Sequence, residues 1–319
     1  MNMQLSEICN KYSAECLQNE RLAPYTTFGI GGGCDYLVKA RTVDKRTKFL
    51  FADILRYCRQ TSTPLYILGK GSNLLISDSG VCGVVLLMSG YCGINYEGDT
   101  FTCQSGASLS DIARAAQALG RGGLEFAQGI PGTIGGAVYM NAGAYGSEVG
   151  EFVSSVCSID VDGGGYDIIR RDVSLLNFGY RSSVFSQRNE LVTEVVLKLP
   201  EKNREDIQRD TLELIKRRAA AQPLEYKSAG SVFKRPASGY AAKFIDSCGL
   251  KGQRVGGAVV SEKHAGFIVN TGNATSGDVL KLIGIIHDKV FTECGVDLKT
   301  EIKMWGTEKS VSSHTPQAG

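Results

Sequence analysis

The sequence contains only three histidines, and none of its ten cysteines forms a Cys-x-x-Cys pair. Zinc and iron–sulfur sites draw their ligands from closely spaced residues of these two types, so the sequence predicts no metal site. Cysteines scattered over 319 residues are typical of a reducing compartment, where a thiol acts as a small buried apolar group. We therefore expect a cytoplasmic protein.

Long hydrophobic runs and a strong net charge are also missing. No stretch of about 18 apolar residues occurs, so we expect no membrane insertion. Residues 1–20 lack a charged segment followed by an apolar one, so we expect no secretory signal. The formal net charge is only +2, which argues against nucleic-acid binding. The expected partners are small molecules, and we expect a monomer.

Predicted helices and strands are mixed along the chain without a regular βαβ alternation. This pattern predicts an α+β fold rather than a doubly wound parallel sheet. GIGGGCDY, residues 29–36, does not fit the Gly-x-Gly-x-x-Gly turn between a strand and a helix, so a Rossmann site is not expected. Residues 1–20 are predicted to form an N-terminal helix, and residues 307–319 a disordered tail.

Three later segments carry helix signals. Residues 203–221 read as a charged helix and mark a candidate domain boundary. Residues 108–119 begin with Ser-x-x-Asp, which predicts a helix with a capping box. Thr275 and Asp278 predict the same arrangement at the start of a helix with one apolar stripe.

The segment VDLKTEIKMW, residues 296–305, alternates between apolar and polar residues and predicts a strand. Its polar face carries Lys299, Glu301 and Lys303. Position alone predicts that Glu301 is solvated.

Two glycine-rich segments stand out. LGKGSNLL, residues 68–75, could turn consecutive backbone N–H groups toward a phosphate, although such turns between strands are common. GIPGTIGGAVYMNAGAYG, residues 129–146, carries no charge and has too many apolar residues for a flexible linker. Together the segments predict close backbone contact with a large planar ligand that carries a pyrophosphate, such as an adenine dinucleotide.

Two polar residues are placed among apolar or small neighbours. Arg181, in NFGYRSSVF, is either a surface arginine on a turn or a cation held against a carboxylate. Ser231, in SAGSVFKRP, is either a turn hydroxyl or a functional one. No Gly-x-Ser-x-Gly elbow surrounds it, so a hydrolase nucleophile is not expected.

Seven motifs together resemble the UDP-N-acetylenolpyruvoylglucosamine reductase family, whose members are flavoenzymes of peptidoglycan precursor synthesis. The motifs are TTFGIGG (26–32), LGKGSNLL (68–75), GLEFAQGIPGTIGGAVYMNAGAYG (123–146), YRSSVF (180–185), AGSVFKRP (229–236), SEKHAGFIVN (261–270) and LKTEIKMWG (298–306). They occur in the family's order and cover nearly the whole chain.

The resemblance implies an FAD-binding domain of the vanillyl-alcohol-oxidase / p-cresol methylhydroxylase (PCMH) type over residues 21–202. This domain has two lobes, and a C-terminal α+β substrate-binding domain follows at 203–306. The implied cofactors are FAD and NADPH, and the implied reaction reduces the enolpyruvyl C=C of UDP-N-acetylglucosamine enolpyruvate. The chain resembles the shorter subtype, which lacks an extra Tyr-bearing loop.

The resemblance also implies roles for single residues. Arg181 and Glu301 would act at the substrate carboxylate, and Ser231 would donate a proton. Arg218 and Lys251 would contact the anionic substrate. The implied FAD-binding residues are Gly69, Lys70, Gly71, Ser72, Asn73, Leu74, Gly129, Ile130, Pro131, Gly132, Thr133, Gly135, Gly136, Asn141, Ala142 and Gly143.

Two other functions remain open at this point. A sugar or lactone oxidase of the same architecture would reoxidise its flavin with oxygen. A nucleotide-binding module without catalysis would use the glycine-rich segments alone, with Ser231 in a structural role.

Overall fold

The computed structural model describes residues 4–41, 47–162 and 167–307. These form a first lobe (residues 4–90), a second lobe (91–203), a connecting helix and a C-terminal unit (222–307). The mixture of helices and antiparallel and parallel strands confirms the α+β prediction. The predicted tail lies outside the described residues, apart from residue 307.

The first lobe contains one mixed sheet with strand order β1-β2-β5-β3. Its core between this sheet and two helices includes Val38, Phe51 and Val84, all fully buried. Its elements are α1 (Leu5–Lys11), β1 (Glu15–Arg21), β2 (Gly33–Arg41), α2 (Thr47–Gln60), β3 (Leu65–Leu68), β4 (Leu74–Ile76) and β5 (Val81–Gly90).

The prediction of a helix over residues 1–20 is wrong beyond Lys11. Ser13 has a φ of 55°, in the left-handed region that ends helices. The chain then enters β1, which pairs with β2 from Glu15 opposite Lys39 onward. Pairing with a neighbouring strand outweighs the local helical pattern of this segment.

The second lobe contains an antiparallel sheet with order β11-β10-β12-β7-β6. Helices α3 and α4 pack on it around a core that includes Phe101, Ile112 and Ile134. Its elements are β6 (Ile94–Glu97), β7 (Thr100–Gln104), α3 (Leu109–Ala118), α4 (Ile134–Met140), β8 (Gly143–Ala144), β9 (Ser147–Glu148), β10 (Val153–Asp160), β11 (Ile169–Asp172) and β12 (Glu190–Lys198).

The predicted capping box at Ser108 is wrong, although α3 is present. The Ser108 side chain makes no cap hydrogen bond. Its Oγ instead accepts a hydrogen bond from Lys70 Nζ at 2.8 Å, which ties α3 to the first glycine-rich segment.

Helix α5 (Arg204–Ala221) connects the second lobe to the C-terminal unit. Asn203 caps its start, and Leu214 packs against the core of the second lobe. A domain boundary at residue 203 therefore stays a prediction, because α5 packs on the lobe that precedes it.

The C-terminal unit contains a sheet with order β13-β16-β15-β14 beneath a long helix. That helix starts with the predicted capping box of Thr275 and Asp278. The elements are β13 (Lys227–Ser231), α6 (Ala241–Ser247), β14 (Arg254–Val255), β15 (Ala258–Val260), β16 (Phe267–Asn270), α7 (Ser276–Cys294) and β17 (Lys303–Trp305). Short 3-10 turns occur at Ala23–Tyr25, Glu125–Ala127, Val149–Glu151, Val173–Leu175 and Val184–Ser186.

The C-terminal unit is fastened to the first lobe. Phe28 and Leu75 of the first lobe are fully buried in its core. The Asp78 carboxylate accepts hydrogen bonds from Ser276 N and Oγ at the start of α7. Strand β17 pairs in parallel with β4. Only Lys303–Trp305 of the predicted strand 296–305 forms a ladder, although burial still alternates along the segment.

Candidate active site

The described residues enclose a cavity of about 1080 Å³ where the two lobes and the C-terminal unit meet. Both glycine-rich segments line it, and so do Arg181, Ser231 and Glu301. Its volume reaches the upper end of the usual range for ligand pockets, which suits a ligand as large as a dinucleotide. No cluster of three or more potential metal ligands occurs in the described ranges.

The loop from Gly69 to Asn73 presents its backbone to the cavity. None of its five N–H groups donates to a protein acceptor among the described residues. Gly71 has a φ of +57°, and a Cβ there would lie 2.5 Å from the Tyr25 carbonyl oxygen. Backbone N–H groups are rarely left without a partner, so this loop is suited to bind an anion.

In the second glycine-rich segment, several N–H groups already donate hydrogen bonds to acceptors of the protein. Those of Gly132, Ile134 and Gly135 donate to backbone carbonyls, and that of Gly136 donates to Thr133 Oγ1. The two segments also pack closely: a Cβ on Gly69 of the first segment would lie 2.6 Å from Thr133 Oγ1 of the second. The two segments therefore face each other with little space for side chains between them.

These features fit the FAD that the resemblance implies. The unpartnered N–H groups of Gly69–Asn73 can hold the pyrophosphate. The predicted FAD-binding residues all line the cavity except Asn141. Asn141 is fully buried, and its side chain links Gly179 O and Gly150 N. It thus supports the turn that carries Arg181.

Arg181 lies near the tip of a tight turn in which Gly179 and Ser182 exchange two backbone hydrogen bonds. Its φ of +51° is unusual for a residue with a side chain and stores backbone strain. The guanidinium donates from Nε to Glu301 Oε1 at 2.9 Å and from Nη2 to Gly143 O at 2.9 Å. These contacts fix its orientation at the cavity.

Ser231 ends β13, which has a bulge between Ser228 and Ser231. A bulge redirects the side chains that follow it. The hydroxyl of Ser231 lines the cavity. No residue in the described part of the chain hydrogen-bonds to this hydroxyl, so it is available to a ligand.

Glu301 joins all three units of the structure. Its N–H donates to Val232 O at 2.7 Å, its C=O accepts from Asn73 Nδ2 at 3.3 Å, and its carboxylate accepts from Arg181. Burial raises the pKa of the Glu301 carboxyl above its ordinary value, and the Arg181 charge offsets part of that rise. The expectation that Glu301 is solvated is therefore wrong, because only 14% of its side chain is exposed.

Of the two predicted substrate contacts, Arg218 lines the cavity and Lys251 does not. Arg218 lines the cavity beside Gly129, and its Nε is buried without a hydrogen-bond partner among the described residues. Burial lowers the pKa of its guanidinium. Lys251 is not among the lining residues, and its Nζ contacts Asp246 Oδ2 at 2.8 Å.

Sequence reasoning missed several lining residues, including Tyr139, His264 and Lys303. Burial lowers the pKa of His264, whose Nδ1 accepts from Gly266 N. A signal for Lys303 was present, because it shares the polar face of its segment with Glu301. Tyr139 and His264 gave no comparable signal, since each lies among apolar or small residues.

Comparison with known proteins agrees with this geometry. Residues 34–164 match the family model of an FAD binding domain. Residues 222–305 match that of the C-terminal domain of UDP-N-acetylenolpyruvoylglucosamine reductase. No helix in the described ranges is long and apolar enough to cross a membrane.

Relatives that align over most of their length are named UDP-N-acetylenolpyruvoylglucosamine reductase. UDP-N-acetylenolpyruvoylglucosamine reductase from Clostridium botulinum is 42% identical over 308 residues, which is 97% of each chain. The enzyme of that name from Caldanaerobacter subterraneus is 44% identical over 90% of this chain and 93% of its own. The solved structure of UDP-N-acetylenolpyruvylglucosamine reductase (MurB) from Thermus caldophilus superposes with a TM-score of 0.75 at 34% identity, covering 92% of this chain and 98% of that one. The chain therefore belongs to the UDP-N-acetylenolpyruvoylglucosamine reductase family.

Proposed function

We propose that the protein is an NADPH-dependent flavoenzyme that reduces the enolpyruvyl C=C of UDP-N-acetylglucosamine enolpyruvate to give UDP-N-acetylmuramate, a peptidoglycan precursor. Family membership and the FAD-binding domain support the reaction. The observation that carries the proposal is the set of three contacts made by Glu301. They bring Arg181 and Ser231 beside the loop Gly69–Asn73 in one cavity.

Arg181 is the group that binds the substrate carboxylate. When hydride adds to the terminal carbon of the double bond, negative charge moves toward that carboxylate. A fixed cation that meets this charge as it develops lowers the barrier, by about 3–4 kcal/mol for one well-placed donor. The contacts to Gly143 O and Glu301 hold the guanidinium in place before substrate arrives.

Ser231 is the proton donor. Its O–H bond breaks as a C–H bond forms at the substrate carbon adjacent to the hydride acceptor. A hydroxyl is a weak acid, but the electron-rich carbon of the substrate is then a strong base, so transfer is favourable. The bulge in β13 and the unengaged hydroxyl support this role.

Glu301 orients Arg181 and assists at the substrate carboxylate. Two carboxylates close together repel, so its raised pKa helps: a protonated Glu301 can donate a hydrogen bond to the substrate. Arg218 meets the negative charge of the nucleotide part, which would satisfy its buried Nε. Lys251 has no support for such a contact in the structure.

Bound FAD supplies the hydride, which it receives from NADPH. The residues that would hold it are the N–H groups of Gly69–Asn73 and the neutral walls formed by Gly132, Thr133 and Gly136. The walls carry few charged groups, so they help to exclude water from the ring.

We also propose a cytoplasmic monomer. All ten cysteines are free thiols, which suits a reducing compartment. Arg181, Ser231 and Glu301 come together in one cavity of one chain, which supports a monomer as the active unit.

An absorption experiment tests the function. Purified protein supplied with FAD should show the flavin band near 450 nm, and anaerobic NADPH should bleach it. Addition of the enolpyruvyl nucleotide should then restore the band faster than air does. Faster recovery in air would favour a flavin oxidase, and a protein that takes up no FAD would indicate a binding module without this chemistry.

A further inference from the structure

We propose that Lys303 is the cation that sets the electron affinity of the flavin bound in this cavity. The inference rests on the proposed function only in requiring that FAD occupies the cavity. It concerns a residue outside the group formed by Arg181, Ser231 and Glu301.

The backbone of Lys303 is anchored next to the phosphate-binding loop. Lys303 begins β17 and pairs with Leu74 at the start of β4. Its N–H donates to Asn73 O at 2.9 Å. The position of Lys303 is therefore fixed relative to the loop that would hold the pyrophosphate.

The side chain of Lys303 lines the cavity. Its Nζ lies 5.3 Å from the centre of the Tyr139 ring on α4, a favourable position for a cation. Within the described residues, no carboxylate lies close enough to form an ion pair with this Nζ. Its charge is thus not neutralised by the protein.

Several other cations line the cavity, and one of them, Arg235, lies over the Tyr240 ring without a carboxylate partner among the described residues. Arg181 pairs with Glu301 and Arg188 with Glu190, while Lys70 donates to Ser108 Oγ. Arg218 also lacks a carboxylate partner in the described part of the chain, but it lies beside Gly129, at another part of the wall. Lys303 is therefore a cavity-lining cation on the same segment as Glu301 that has no carboxylate partner in the described part of the chain.

The location of Lys303 connects it to the flavin ring rather than to the phosphates. It follows Glu301 by two residues, and Glu301 contacts both Arg181 and Asn73. From its backbone beside Asn73, the Lys303 side chain reaches Tyr139 on α4, which belongs to the second glycine-rich segment that forms the neutral wall. A positive charge beside a flavin ring raises its affinity for electrons, because reduction adds negative charge to the ring.

The test uses FAD-loaded enzyme without substrate. The variants are Lys303→Met, which removes the charge, and Lys303→Arg, which keeps it. Lys299→Met is the matched control: it lies on the same segment, pairs with Asp297 and does not line the cavity. The two-electron midpoint potential of bound FAD is measured by spectroelectrochemistry, and the dissociation constant of oxidised FAD is measured by fluorescence.

We expect Lys303→Met to weaken binding of reduced FAD about tenfold relative to oxidised FAD, which lowers the midpoint potential by about 30 mV. Lys303→Arg and Lys299→Met should shift this ratio less than twofold. Lys303→Gln replaces Lys303→Met if the latter does not retain FAD.

An unchanged potential in the neutral variants overturns the proposal. A weaker affinity for oxidised FAD with an unchanged potential also overturns it, because Lys303 would then hold the cofactor without changing its electron affinity. Failure of the proposed function would give a different result: wild-type enzyme reduced by NADPH would not be reoxidised by the nucleotide, whatever its potential.

Discussion

The cavity has two walls of different construction. The cofactor wall consists of the loop Gly69–Asn73 and residues 129–136, and it offers backbone groups and small neutral side chains. The reaction wall consists of Arg181, Ser231 and Glu301, and it offers functional side chains held by distant parts of the chain. The cofactor wall is thus encoded by where side chains are missing, and the reaction wall by which side chains are present.

Only the reaction wall carries features that reduce the stability of the folded protein. In the reaction wall, Arg181 adopts a strained backbone conformation and Glu301 carries a carboxyl whose charged form is disfavoured by burial. Such features reduce stability and are retained where they serve function. The cofactor wall instead places glycine where a positive φ or close packing requires it, as at Gly71. Substitutions in the two walls should therefore separate chemistry, cofactor binding and stability.

The largest expected effect comes from removing the reacting hydroxyl. Ser231→Ala should leave FAD binding and bleaching by NADPH unchanged, because Ser231 makes no contact with the cofactor wall. Reoxidation by the enolpyruvyl nucleotide should slow by about 10²-fold or more, since general-acid assistance is lost. Stopped-flow absorbance measures the two half-reactions separately. An unchanged second half-reaction would remove Ser231 from the mechanism.

The next effect should appear in cofactor binding. Gly71→Ala forces a Cβ within 2.5 Å of Tyr25 O at a φ of +57°. We expect FAD affinity to fall about 30-fold, because about 2 kcal/mol of left-handed strain and crowding displaces the loop. Gly98→Ala is the control, because its φ is +60° but no atom lies within 4 Å of the added Cβ. Equal losses of affinity in both variants, by fluorescence titration, would show that conformational strain alone is responsible.

Arg218 lies beside Gly129, next to the cofactor wall, and its replacement tests whether it serves the cofactor or the nucleotide substrate. Arg218→Met should raise the KM for the nucleotide about tenfold, because a charge-assisted hydrogen bond is lost. FAD affinity should not change. The thermal midpoint of the substrate-free protein should not fall, because the variant removes a buried Nε without a partner among the described residues. If FAD affinity falls instead, Arg218 belongs to the cofactor wall.

The smallest effect concerns stability. The folded-state pKa of Glu301 is raised above the ordinary 4.5, so its ionised form destabilises the folded protein at neutral pH. Glu301→Gln should therefore raise the thermal midpoint at pH 7, and this gain should vanish as the pH falls below the ordinary value, where the carboxyl is protonated in both states. Glu213→Gln, an exposed glutamate on α5, is the control and should have no effect at either pH. A lower midpoint for Glu301→Gln at pH 7 would show that the Arg181 contact outweighs burial.

Local sequence predicted much of the cofactor wall, whereas the roles of Arg181, Ser231 and Glu301 in the reaction wall were implied by the family resemblance. Glycine content marks both segments of the cofactor wall. It does not show that the N–H groups of one segment are free for a ligand while those of the other bind protein acceptors. That distinction depends on acceptors such as Ala107 O and Ser105 O, which the fold brings from elsewhere. Composition therefore located the wall but not the function of each part.

Long-range contacts explain the predictions that were wrong. Alternation placed Glu301 on a polar face, but partners more than 60 residues away, Val232 and Arg181, enclose it. Ser108 has the local pattern of a cap, yet its hydroxyl binds Lys70. Pairing with β2 converts residues 15–21 from a predicted helix into a strand. In each case a contact with a distant residue outweighs a local preference.

The joining role of Glu301 has a consequence for biosynthesis. A ribosome synthesises residues 299–305 after all the other described residues that line the cavity. Until that segment emerges, Arg181 has no carboxylate partner, Asn73 has no acceptor and β4 has no parallel neighbour. The first lobe is then also incomplete, because Phe28 and Leu75 are buried only in the core of the C-terminal unit. The last segment to be made is therefore the one that locks the three units around the site.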